Sequence, residues 1–177
     1  MKGGNAVQSF IAATKCQQLK LNTIIEVVSP PTKTVLGQVL NKLKLDPTIG
    51  PHLHHWEALY PTFAFLCNKT SSAHKDSTSP LGGYDVLLAA GDFTGGNFYL
   101  KDLGIEVPYL PGDIIFVRGR VLNHGTRQWF GVGRSSLVYF VQEGVIRWVG
   151  EPDIEGFASI HISSEEIVGA QEMSNRG

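Results

Sequence analysis

Cysteine is almost missing from this chain: Cys16 and Cys67 are the only two in 177 residues. Two thiols cannot build the disulfide scaffold of a small secreted protein, so reduced thiols in an intracellular protein are expected. Long apolar runs are missing too; nowhere does the chain offer the roughly 20 consecutive apolar residues of a membrane span. The opening Met1-Lys-Gly-Gly-Asn-Ala6 lacks the apolar stretch of a secretory signal, which makes cytoplasm or nucleus the expected compartment. An excess of one charge is absent as well. A formal net charge of -1 argues against a strongly electrostatic nucleic-acid binder and leaves only a local basic patch for that purpose. There is no internal repeat and no low-complexity linker.

What is present is glycine, 20 residues of it, in a chain with 42% apolar content. That balance suits many short strands joined by turns. The length suits one domain over 1–177, large enough to bury a core. Within it, 1–59 reads as an N-terminal strand and helix in support, about 60–150 as the core, and 151–177 as a C-terminal extension. Residues 19–28 are rich in β-branched side chains and stop at Ser29-Pro30-Pro31, which predicts a strand. Val35, Leu36, Val39, Leu40 and Leu43 recur at helical spacing, so 32–44 is an expected amphipathic helix with Lys33, Lys42 and Lys44 on its solvated side. Further strands are expected at 63–68, 84–90, 97–100, 113–117, 121–124, 135–141 and 145–149. Gly91-Asp-Phe-Thr-Gly-Gly96 and Pro111-Gly112-Asp113 read as turns between them. Short, evenly spaced strands of this kind predict a mainly β, cupin-like jelly roll with one or more flanking helices. The polar end, 172–177, reads as frayed.

The chemistry-bearing residues stand in a particular order. His74 and Asp76 form an H-x-D pair, His124 follows at a distance, and Arg134 and Ser136 form R-x-S ten residues further on. On a strand, residues i and i+2 share a face, so His74 with Asp76, and Arg134 with Ser136, can look into one cavity. Two imidazoles and one carboxylate are the facial ligand set that suits non-haem Fe(II) and leaves coordination positions open. An arginine and a serine on one face suit the far carboxylate of an organic acid chelating that metal; Arg127 is the competing anchor. His52, His54 and His55 also resemble a metal cluster, but no carboxylate stands at matching spacing, and a loop is the simpler reading. Cys67 has no positioned base near it in sequence and reads as a packed thiol rather than a nucleophile. Asn68 and Thr70 are candidate polar contacts to co-substrate or substrate. Trp129 and Phe130 can stack on a planar substrate or simply pack at a barrel rim. Arg118 and Arg120 are candidate substrate contacts.

These residues also carry a family likeness. The stretch Asn68-Lys-Thr-Ser-Ser-Ala-His74-Lys-Asp76, then Gly91-Asp-Phe-Thr-Gly-Gly-Asn-Phe98, Pro111-Gly-Asp-Ile-Ile-Phe116, Asn123-His-Gly125 and Gly133-Arg-Ser-Ser136 resemble the core of 2-oxoglutarate/Fe(II) dioxygenases. Within them the run looks like the TET/JBP-like branch, particularly its short fungal members, over roughly residues 60–142. The resemblance implies a double-stranded β-helix in which His74, Asp76 and His124 hold iron. It also implies 2-oxoglutarate anchored by Arg134 and Ser136, with O2 as oxidant. Hydroxylation of a C–H bond would follow, and the branch implies the methyl of 5-methylcytosine or thymine in nucleic acid. Other readings stay open: a hydroxylase of small molecules, or a cupin-like metalloprotein or idle binding module that uses no 2-oxoglutarate.

Overall fold

The computed structural model describes residues 3–154, which begin with three helices and continue as two β-sheets. The helices are α1 (Gly3–Ala13), α2 (Lys15–Val28) and α3 (Pro30–Leu45). Residues 19–28 are therefore helical, against the expectation of a strand. Gln18, Leu21 and Ile25 are buried at helical spacing, and their packing beside α3 overrides the β preference of the isoleucines and valines. Gln18 is tied on both sides, donating to the Ile11 carbonyl at 2.8 Å and accepting from the Glu57 and Ala58 amides at 2.9 Å. Helix α3 follows its sequence signals: the Ser29 side chain caps the Thr32 amide, prolines occupy the first turn, and Val35, Leu36, Val39, Leu40 and Leu43 are buried.

Eight strands follow: β1 (Thr62–Cys67), β2 (Ser71–His74), β3 (Asp85–Gly95), β4 (Phe98–Leu100), β5 (Ile105–Val107), β6 (Ile114–Val117), β7 (His124–Thr126) and β8 (Trp129–Phe140). They form two four-stranded antiparallel sheets in the orders β1-β8-β3-β6 and β2-β7-β4-β5. First pairs with last, second with seventh, third with sixth and fourth with fifth. This is one long hairpin rolled on itself, the jelly roll that the strand spacing predicts. Neither β2 nor β5 stands out in the sequence, β2 being short and polar and β5 only three residues long.

Three expectations fail locally, each for a physical reason. Residues 145–148 lie in a helix, α4 (Glu143–Trp148), with Val149 as its C-cap and Ile146 its single buried residue. Arg120 fastens it by donating to Glu143 Oε2 at 2.7 Å. Residues 121–124 are not a strand: Val121 and Leu122 donate to the Arg118 carbonyl in a turn, and β7 starts at His124 instead of ending there. The glycine-rich 91–96 run is mostly strand rather than turn. Gly91 takes a φ of +127° there, and a side chain would strike the Gly133 carbonyl. The pairing of β3 with β8 shifts between Asp92 and Phe93, so the glycines serve a bulge.

One core packs the helices against the β1-β8-β3-β6 sheet through Leu36, Val39, Tyr60, Val86 and Tyr139. A second fills the interior with Ala89, Phe93, Phe98, Tyr109 and Val117. Strand β8 serves both, sending Leu137 and Tyr139 to the helices while Arg134 and Ser136 turn inward. Both cysteines are free and exposed, so Cys67 is not the packed thiol expected. Among the described residues no helix is long and apolar enough to cross a membrane. Of the expected C-terminal extension, 155–177, including the polar end, lies outside the described residues.

Candidate metal centre and anion site

His74 closes β2 and His124 opens β7, and the two are direct cross-strand partners in the antiparallel ladder. Their rings lie 4.6 Å apart between centroids. Asp76 sits two residues beyond the end of β2, and its amide donates to the Gly119 carbonyl at 3.0 Å. A turn pinned by Gly119, rather than a strand, thus brings Asp76 to the histidines. His74 Nε2 is 3.6 Å from Asp76 Oδ1, and His124 Nε2 is 3.5 Å from Asp76 Oδ2. One ligand atom from each residue falls within 4.8 Å of the others.

The hydrogen bonds behind the rings define their chemistry. His74 Nδ1 lies 2.9 Å from the Ser72 carbonyl, and His124 Nδ1 lies 2.9 Å from the Leu122 carbonyl. A carbonyl only accepts, so each Nδ1 carries the hydrogen, and Nε2, the nitrogen that faces Asp76, is the one placed to ligate. Two imidazole nitrogens and a carboxylate converging on one point are the donor set of a metal site. A first-row metal with bonds of about 2.0–2.2 Å needs ligand atoms about 3–3.5 Å apart, close to the spacings here. The donor set therefore fits a divalent metal. His124 is buried while His74 is exposed, so one side of the group opens to solvent and leaves positions for exchangeable ligands.

A second carboxyl backs the first. Asp85, on β3, is buried and accepts from Ser79 Oγ at 2.9 Å. Burial, and then the neighbouring Asp76 charge, push it up to about 7. A side chain at Gly119 would meet the carboxylate oxygens of both aspartates. Gly119→Ala is therefore expected to displace Asp76 and weaken metal binding by about 10–100-fold, the usual cost of disturbing a ligand's support. Metal titration of the purified variant checks this, and its folding should be little changed.

The three ligands line one cavity of about 280 Å³ together with Arg134 and Ser136, at the lower end of the size of ligand sites. Ala64, Leu66, Leu87, Val138 and Phe140 give it an apolar wall. Arg134 is 3% exposed, and its guanidinium lies 5.3 Å from the Phe93 ring centre and 5.2 Å from that of Tyr109. Nη1 donates to the Lys69 carbonyl at 3.1 Å, whereas Nε and Nη2 are buried without a partner. Burial pulls its pKa below the usual guanidinium range, and among the described residues no carboxylate is paired with it. A buried fork with two idle donors has the chemistry to receive an anion.

Asn68 does not line the cavity but holds Arg134 in place. Its Oδ1 accepts from the Arg134 amide at 3.0 Å, and its own amide donates to the Arg134 carbonyl at 2.7 Å. Its φ of +55° is the left-handed conformation that asparagine tolerates better than most residues. Asn68→Ala should lower the unfolding free energy by about 2–3 kcal/mol, through the lost acceptor and the backbone strain. Asn68→Gly, free of the strain, should cost about 1 kcal/mol less. Chemical denaturation of the two variants separates these contributions.

The remaining candidates fall elsewhere. Thr70 lines the cavity; Trp129, Phe130, Arg118 and Arg120 do not. Trp129 packs edge-on to Phe93, and Phe130 is exposed. Arg118 lies over the Tyr84 ring, and Arg120 is engaged with Ser79 and Glu143. Arg127, the competing anchor, pairs with Glu106 at 2.9 Å on an exposed surface. His52, His54 and His55 are exposed, and among the described residues the only metal-type cluster is that of His74, Asp76 and His124. Lys69, Asp85 and Tyr109 also line the cavity and were not singled out by sequence. Each is a lone residue without a spacing pattern, so no sequence signal marks it.

No protein-family model matches the chain, and no curated protein matches its sequence. Among solved structures it is similar to NgTET1, determined in complex with 5mC DNA, at 22% identity and a TM-score of 0.49. The similarity covers 76% of this chain and 49% of that one, so this chain spans about half of its length.

Proposed function

We propose that this protein is an Fe(II)- and 2-oxoglutarate-dependent dioxygenase that hydroxylates a substrate C–H bond. One observation carries the reading: a half-open two-histidine, one-aspartate cluster shares a cavity with a buried guanidinium that has no anion partner. A cupin using metal alone has no need of the second feature, and an idle binding module has no need of the first.

His74, Asp76 and His124 would hold the iron, with the Ser72 and Leu122 carbonyls keeping both rings in the ligating tautomer. Iron so held, with 2-oxoglutarate and O2, supplies oxidation of C–H to C–OH coupled to release of CO2 and succinate. The protein's part is orientation and exclusion of water. Arg134 and Ser136, on one face of β8, would receive the far carboxylate of 2-oxoglutarate. Phe93 and Tyr109 each set a ring against the guanidinium, while Phe98 stacks on the His124 ring at 5.6 Å. The apolar wall of Ala64, Leu66, Val138 and Phe140 suits an uncharged C–H group.

For the substrate, the motif resemblance to the TET/JBP-like branch supports a methyl group on a pyrimidine base, 5-methylcytosine or thymine. A second reading, a small-molecule hydroxylase, is favoured by the engagement of Arg120 and Arg127 in ion pairs and by the near-zero net charge. Incubation with Fe(II), ascorbate, 2-oxoglutarate and methylated DNA, followed by mass spectrometry of the nucleosides, distinguishes them. Oxidised bases support the first. Succinate release stimulated only by a small molecule supports the second, and no succinate under any condition overturns the dioxygenase reading.

A further inference from the structure

The Arg134 fork is not alone in its corner of the cavity. Tyr109, 0% exposed, lines the same space, and its hydroxyl lies beside Ser136 without a hydrogen bond of good geometry. Three buried polar atoms of two residues, Arg134 Nε, Arg134 Nη2 and Tyr109 Oη, thus lack partners around one cavity. Buried polar groups are rarely left unpaired, and several together indicate a ligand group that completes them.

The fold delivers Tyr109 to that place firmly. It sits in the loop between β5 and β6, where Leu110 donates to Asp113 Oδ2 at 2.7 Å and Asp113 donates back to the Leu110 carbonyl at 3.0 Å. The loop is stitched to Ala89 of β3 from both sides: Gly112 donates to the Ala89 carbonyl at 2.8 Å, and Ala89 donates to the Asp113 carbonyl at 3.2 Å. Ala89 is the register partner of Ser136 across β3 and β8. The same backbone that aligns Ser136 therefore anchors the loop bearing Tyr109. Phe98 packs edge-on to the phenol ring at 6.2 Å.

We infer that the Tyr109 hydroxyl is a third donor to the far carboxylate of the co-substrate, converging with Arg134 and Ser136, and that it adds to the preference for a dicarboxylic 2-oxo acid that the Arg134 fork provides. The inference rests on the co-substrate reading above. Two roles of the residue are separable, because the ring supports the guanidinium while the hydroxyl meets the ligand. Tyr109→Phe removes only the hydroxyl and keeps the ring that packs on Arg134 and Phe98.

Calorimetric titration of Mn(II)-loaded protein with 2-oxoglutarate and with 2-oxovalerate, which lacks the far carboxylate, tests it without turnover. In Tyr109→Phe, 2-oxoglutarate should bind about ten- to a hundredfold more weakly, the range for a lost hydrogen bond to a charged group. Binding of 2-oxovalerate should not change. Equal weakening of both ligands, or of neither, overturns the assignment. If the unaltered protein fails to prefer 2-oxoglutarate over 2-oxovalerate, the co-substrate reading fails first and takes this one with it.

Discussion

Replacing Asp76 by alanine is expected to abolish tight metal binding and, with it, all turnover. Asp76 is the single carboxylate among the three ligands and stands within 3.5–3.6 Å of both imidazole nitrogens. Without it, two neutral rings remain, and their paired lone pairs bind a divalent ion far less well. Disturbing the support of a ligand costs about 10–100-fold in affinity, so removing a charged ligand should cost more than that. Metal content after dialysis and succinate formation both report the loss. His124→Ala should behave alike, since that ring is buried and cannot be replaced by water without opening the interior. A His74→Ala protein that keeps full metal content and activity would sink the assignment.

The second large effect concerns Arg134. Losing a charge-assisted pair to a carboxylate in a buried site costs about 2–5 kcal/mol, or about 30-fold to several thousandfold. Arg134→Ala should raise the 2-oxoglutarate requirement by that factor in succinate assays, and Arg134→Lys should recover only part of it, because a point charge cannot reproduce the planar fork. The ligand-free protein should respond in the opposite sense. A buried cation without a counter-ion destabilises its surroundings, so Arg134→Met should leave the thermal midpoint unchanged or raise it. An unaltered 2-oxoglutarate dependence in Arg134→Ala would move the anchor elsewhere.

Much of this arrangement was legible because it depends on short-range rules. Arg134 and Ser136 share a face because alternation along a strand is a local property of the backbone. Helix α3 declared itself by apolar spacing, whereas the serine cap and first-turn prolines that begin it read as the end of a strand. The glycine-rich segments misled for the same local reason: glycine marks a turn and a bulge alike, and only the β8 backbone lying against Gly91 distinguishes them. Residues 19–28 misled because β-branched side chains prefer strands until a neighbouring helix offers their apolar face a partner.

The sequence by itself determined the jelly-roll class, the candidate ligands and the candidate anchor, since these follow from periodicity, side-chain chemistry and order along the chain. Tertiary structure alone decided how they meet. His74 and His124, fifty residues apart, became direct partners only when β2 and β7 paired. Asp76 reached them through the Gly119 carbonyl, and Arg134 was held from Asn68 and left without a counter-ion by the burial around it. Tyr109 arrived from a loop stitched to the partner of Ser136. Such convergence arises from long-range pairing and close packing, which no local pattern encodes.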